Sequence, residues 1–103
     1  MDRVVDLTEI VAREIAEYVA LGAHGEETYF VSNDAKHTYA FISVPHDHPQ
    51  ESAIIILARV RDDQKIIIDT DLTDKPLYKS LIDAGVPRSQ IIRAYAGKTE
   101  PEP

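Results

Sequence analysis

The sequence predicts an α+β fold: an N-terminal helix, a four-stranded antiparallel meander, a C-terminal helix and a short last strand. Three observations predict it. An apolar stripe of helical period opens the chain. Four runs rich in β-branched and aromatic residues follow, separated by short turn-forming clusters. A capped amphipathic segment then ends at Gly85 and Pro87, just before a last apolar run.

Residues 3–21 read as a helix because Leu7, Val11, Ile15 and Tyr18 fall at steps of four, four and three, with Ile10 and Val19 beside them. Glu9 precedes Arg13 by four, the favourable order for an ion pair along a helix. Gly22 is a natural stop, since glycine accepts positive φ.

Residues 28–32 and 37–44 form a hairpin around the turn chemistry of Asn33-Asp34-Ala35-Lys36. Pro45 to Pro49 closes the second strand, because proline donates nothing to a ladder. Residues 53–60 are almost continuously apolar, which predicts a central strand covered on both faces. Asp62-Asp63-Gln64 turns the chain into a fourth strand over 65–69.

The second helix has Thr73 as its expected N-cap and Pro76 in its first turn. Leu77, Tyr78, Leu81 and Ile82 form its buried face, Gly85 ends it and Pro87 prevents continuation. Residues 91–95 read as the last strand. Residues 1–96 form one expected domain, and 97–103 an expected disordered polar tail.

Composition bounds the function. A chain of 103 residues with 44% hydrophobic content supports one packed core. With no cysteine, disulfides and thiolate metal sites are excluded, and a reducing cytoplasm is the expected compartment. No apolar run approaches the about 20 residues that span a bilayer, and the charged start does not read as a signal peptide. Eighteen acids face 11 bases, a net charge of −7. The bases are scattered, and Arg59 and Arg61 are followed at once by Asp62 and Asp63. Phosphate backbones repel such a surface, which argues against direct nucleic-acid binding and favours a basic protein partner.

Two constellations invite chemistry. Asp69-Thr70-Asp71-Leu72-Thr73 after Ile66-Ile67-Ile68 is superficially similar to the haloacid dehalogenase phosphatase signature, with an aspartate nucleophile and a second aspartate two residues on. Only 30 residues follow Thr73, too few for the parallel wound sheet that chemistry needs. The structural alternative is that Asp71 and Thr73 shape a turn and cap the next helix. His46-Asp47-His48, with His37 nearby, offers two imidazoles at i and i+2, short of the three or four ligands of a zinc site. The competing view is a solvated loop between two prolines. Glycine-rich phosphate loops and nucleophile elbows are absent from the sequence. The reading is of a non-enzymatic chain with no catalytic, cofactor or metal site.

The C-terminal third carries a family resemblance. Lys65-Ile66-Ile67-Ile68 runs into Asp71-Leu72-Thr73-Asp74; Leu77, Leu81, Ala84-Gly85-Val86-Pro87 and Ile91-Ile92 follow. This resembles the XisI family pattern of a strand, an Asp-Gly-Thr-Glu turn, a helix, Gly-(Ile/Val)-Pro-Lys and a short Ile-Val strand. The spacing matches over about 35 residues, and the first helix and the hairpin with Tyr39 fall in the same order. Three places differ. Val44-Pro45 stands where the family often has Gly-Trp, the segment around Ala58-Arg59-Val60 where it often has His-Leu-Asp, and an isoleucine of 66–68 where it has a strand tryptophan.

The resemblance implies an accessory factor for excision of a DNA element, XisI being typically paired with a nuclease-like protein, XisH. The expectation is that this chain binds an XisH-like partner and controls it, in excision or in an antitoxin-like role. A direct DNA-binding accessory factor and a small metal-dependent phosphatase are the alternatives. The partner-binding residues expected are His46, Asp47 and His48 in the 45–51 loop and Asp69, Asp71 and Asp74 in the 69–75 turn. An exposed edge strand also leaves a homo-oligomer open.

Overall fold

The computed structural model describes residues 6–22 and 24–102. Helix α1 spans Leu7–Leu21. Four strands follow: β1 (Glu26–Asn33), β2 (Thr38–Pro45), β3 (Ala53–Val60) and β4 (Ile66–Asp71). Helix α2 covers Leu77–Asp83 and leads to β5, Ile91–Arg93. The strands form one sheet in the order β1-β2-β3-β4-β5. The first three pairings are antiparallel, as the meander requires. The last strand joins the same sheet as a fifth member, parallel to β4. Helix α2 carries the chain back along the sheet, which is what lets two successive strands run the same way.

Local chemistry explains the ends. Asp6 is extended, and its carboxylate accepts the amides of Thr8 at 3.0 Å and Glu9 at 3.4 Å, so α1 starts at Leu7. Residues 3–5 of the expected helix lie outside the described residues. Gly22 ends α1 with φ of +59°. Arg13 pairs with Glu14 at 3.5 Å, rather than with Glu9 one turn earlier. Asn33 accepts the Lys36 amide at 3.2 Å, and His37 takes the left-handed conformation that closes the hairpin. Helix α2 ends in a Schellman pattern. The Val86 amide reaches Leu81 O at 3.0 Å, the Gly85 amide reaches Ile82 O at 3.0 Å, and Gly85 has φ of +102°.

Both helices cover one face of the sheet. Val11 and Ile15 of α1, Leu77 and Leu81 of α2, and Ile56, Ala58, Ile66 and Ile68 of the sheet are fully buried together. At about 25 cal/mol per Å² of apolar surface, this contiguous cluster supplies the main driving force for the two-layer fold.

The other face is only partly covered. β3 is central, but it does not bury both sides: Ile56, Ala58 and Val60 are buried, whereas Ile54 stays 45% exposed. A bulge explains the change along the strand. Phe41 pairs with Ile56, but Ile42 pairs with Ile54, so Ile55 is the extra residue and Ile54 turns to the outer face. A continuous apolar run in sequence therefore served two faces in turn. After Arg93 a short 3₁₀ turn, Ala94–Ala96, packs on β4, where the sequence suggested that the last strand extends to Tyr95. Beyond it Glu102 pairs with Arg93, whose guanidinium also lies 4.5 Å from the Tyr78 ring centroid. Among the described residues no helix is long and apolar enough to cross a membrane.

Candidate interaction surface at the acidic end of the sheet

The start of β1, the 45–51 loop, the start of β3 and the end of β4 meet at one end of the sheet. Backbone bonds fix this. The His46 amide donates to Gly25 O at 2.9 Å, and the Leu72 amide donates to Ile55 O at 2.9 Å. The two segments singled out in the sequence are thus brought to a common end. It carries Glu26, Glu27, Asp47, Glu51, Asp71 and Asp74, with Lys75 against them.

The acidic side chains there differ in what they do. Asp71 is half-buried and structural. Its Oδ1 accepts the Thr73 amide at 2.9 Å and lies 2.6 Å from Thr73 Oγ1; its Oδ2 accepts the Leu77 amide at 2.7 Å. Asp71 therefore caps α2 from six residues upstream. Thr73 is not the N-cap: Pro76 holds that position, with no side chain of its own to offer an amide. Thr73 instead ties Asp71 to Lys75 O, 2.8 Å away.

Asp69 faces the other way. Leu57 pairs with Thr70 and Ala58 with Ile68, so Asp69 is the extra residue of a second bulge. It holds Arg59 through Nε at 2.8 Å and Nη2 at 3.4 Å on the outer face. Asp71, paired with Ile56, belongs to the helix-covered face. Without the bulge the two carboxylates, two residues apart, would share a face. With it they point to opposite sides of the sheet and converge on no common point.

The histidines also separate. His46 Nε2 lies 3.3 Å from Glu27 Oε1, and His48 Nδ1 lies 3.8 Å from Glu51 Oε2, both at exposed positions. No group of three or more His, Cys, Asp or Glu among the described residues is arranged to hold a metal ion. Asp47 and Asp74 are exposed. Of the six expected residues, Asp71 and Asp69 are engaged within the fold, and His46, Asp47, His48 and Asp74 present themselves to solvent.

Leu72 was not singled out in the sequence, yet it stands 67% exposed between Asp71 and Asp74. A signal was available: Leu72 precedes the α2 period of Leu77 and Leu81 and has no place on that buried face. Leu21, 85% exposed at the end of α1, rims the same end. Beside Leu21 a groove of about 260 Å³ runs between the helices, lined by Glu14, Glu17, Tyr18, Lys75 and Asp83 among others. At its floor the Tyr18 hydroxyl donates to Lys75 O at 2.5 Å and meets Ser80 Oγ at 2.9 Å. Burial raises the Tyr18 pKa, and the charges of Asp71 and Glu14 add to the rise. The phenol stays neutral and keeps its proton on the carbonyl.

This geometry has relatives. The family model described as XisI protein matches residues 1–101. The chain belongs to the XisI family. The sheet order, the two helices on one face and the short last strand are thus an XisI fold. Two crystal structures from Anabaena variabilis ATCC 29413 share it. One is a XisI-like protein, 21% identical, with a TM-score of 0.72, the match covering 84% of this chain and 82% of that one. The other is the fdxN element excision controlling factor XisI, 18% identical, with a TM-score of 0.71 and coverage of 86% and 83%. A search of curated proteins finds no match.

Proposed function

We propose that this XisI-family chain is a non-enzymatic control subunit that docks, through the acidic end of its sheet, onto a basic XisH-like, nuclease-like protein in the cytoplasm and controls it in DNA-element excision. The observation that carries the reading is the exposed Leu72, flanked in the chain by Asp71 and Asp74, at the end of the sheet that also carries the exposed Asp47. An exposed apolar residue at an acidic end of the sheet fits an anchor in a charged rim. Carboxylates there steer a basic surface and repel DNA, so the chain would occupy a nucleic-acid-binding face rather than bind nucleic acid itself.

Family membership and the description of the Anabaena relative as an excision controlling factor support the control role. The divergence of Asp69 and Asp71 supports a role without phosphoryl transfer, since a nucleophile and its acid–base partner must reach one reacting atom.

The test is co-expression with the XisH-like protein of the same genome, followed by size-exclusion chromatography with light scattering. A single complex burying on the order of 1,200–2,000 Å² is the expected result. Two species that elute independently would contradict the reading. So would a magnesium-dependent phosphatase activity abolished by Asp69→Asn.

A further inference from the structure

We infer that β1 is a pairing edge for a second copy of this chain, joining two five-stranded sheets into one continuous sheet across a two-fold axis. The inference is independent of the XisH-like partner, because it uses the side of the sheet rather than its acidic end.

β1 is the outermost strand, and among the described residues nothing pairs with its free side. Its backbone is arranged to accept a neighbour. The His46 amide donates to Gly25 O, which marks Gly25 and His46 as a hydrogen-bonded pair. The β1–β2 register runs without a bulge from there to Asn33. Antiparallel pairs alternate, so residues 27, 29, 31 and 33 direct their amides and carbonyls toward β2. Glu26, Thr28, Phe30 and Ser32 direct theirs outward. Eight residues is long for an exposed edge, and β1 has no lysine, no proline and no bulge; its only charges, Glu26 and Glu27, lie at its start.

The side chains on this edge suit a copy of themselves. Both acids of β1 lie at its start, and Val31, Ser32 and Asn33 at its end are uncharged. An antiparallel two-fold at Phe30 sets Glu27 of each copy opposite Asn33 of the other and keeps the two Glu26-Glu27 pairs at opposite ends. A parallel partner would stack acid on acid. On the outer face, Tyr29 is 49% exposed and Val31 46%, and through Ile42 they continue to Ile54 at 45%. The axis doubles this strip and brings Tyr29 and Val31 of the two copies together. On the inner face it brings the two copies of Phe30 together at the sheet edge; Phe30 is 37% exposed and stacks on its own Tyr39 with ring centroids 6.4 Å apart. Each copy carries a net charge of −7, so the association strengthens as salt screens the mutual repulsion.

The test is sedimentation velocity of the full chain over a dilution series from millimolar to micromolar, with hydrogen exchange at both ends. A monomer–dimer equilibrium is expected that shifts toward dimer in high salt, with the amides of Thr28, Phe30 and Ser32 protected only in the dimer. Ser32→Pro removes an outward amide and no β1–β2 bond, and Val31→Lys places a charge on the outer strip. Each weakens dimerisation by about tenfold or more, because the axis duplicates the loss. Far-UV circular dichroism checks that both variants keep their fold. Should either unfold, the exchange pattern of the unmodified chain decides alone. A monomer at all concentrations, or a dimer whose Thr28, Phe30 and Ser32 amides exchange freely, would overturn the inference.

Discussion

Asp71 Oδ2 accepts the backbone amide of Leu77 at 2.7 Å, and this bond sets where the second helix begins. The N-cap position itself is Pro76, which has no side-chain acceptor. The carboxylate at the end of β4 supplies what the helix start lacks. Asp71→Ala removes the acceptor for both the Leu77 and Thr73 amides. It should cost about 1–2 kcal/mol in urea unfolding, the range of a lost N-cap. Asp71→Asn keeps one carbonyl acceptor and should cost less.

Tyr18 ties the first helix to the loop before the second through Lys75 O and to the second helix itself through Ser80. Its pKa is raised, first by burial and then by nearby negative charge. A group whose folded pKa lies above its unfolded value binds its proton more tightly in the folded state. Its contribution is complete below the ordinary phenol range and falls away as pH rises through the folded value. Tyr18→Phe should lose about 1 kcal/mol near neutral pH. It should also flatten the alkaline limb of the stability profile, measured by urea unfolding across the alkaline range.

Arg59 and Asp69 form an exposed pair on the outer face, with half of the arginine side chain in solvent. Its worth is correspondingly small. A double-mutant cycle of Arg59→Gln and Asp69→Asn should give a coupling below about 1 kcal/mol, shrinking in high salt.

Gly85 has φ of +102°, and an added Cβ would meet nothing within 4 Å. Backbone strain alone then decides the cost of a side chain. Gly85→Ala should destabilise by about 1–2 kcal/mol, read from the shift of the urea midpoint at an unchanged slope.

The elements were legible because their signals are local. The apolar stripe marked α1, β3 was expected over 53–60 and spans Ala53–Val60, and Gly85 stopped α2 as glycine does. The two bulges were not legible. Nothing in Ile54-Ile55-Ile56 says which isoleucine is the extra one; the register with Phe41 and Ile42 decides it across the sheet. The same applies to Asp69, whose face depends on the pairing of Leu57 and Ala58. The sequence offered both Asp71 and Thr73 as caps of the second helix, and the fold uses Asp71 as the acceptor. Thr73 lies within reach in sequence, but Asp71 is held by a strand that points its carboxylate at Leu77. At the candidate surface the two segments were singled out in the sequence by their acids and turn chemistry. That they share one end of the molecule, and that Leu72 stands exposed there, follow from the tertiary pairing of Leu72 with Ile55.

The central claim is that the acidic end of the sheet docks a basic XisH-like protein. The most direct measurement is titration calorimetry of that protein with the unmodified chain and with Asp47→Lys/Asp74→Lys. Both positions are exposed and, among the described residues, their side chains make no hydrogen bond or ion pair, so the variant should keep its unfolding midpoint. The account predicts a saturable complex for the unmodified chain and affinity reduced by about tenfold or more in the variant. Equal affinity for the two, or heat of dilution alone for both, would contradict it.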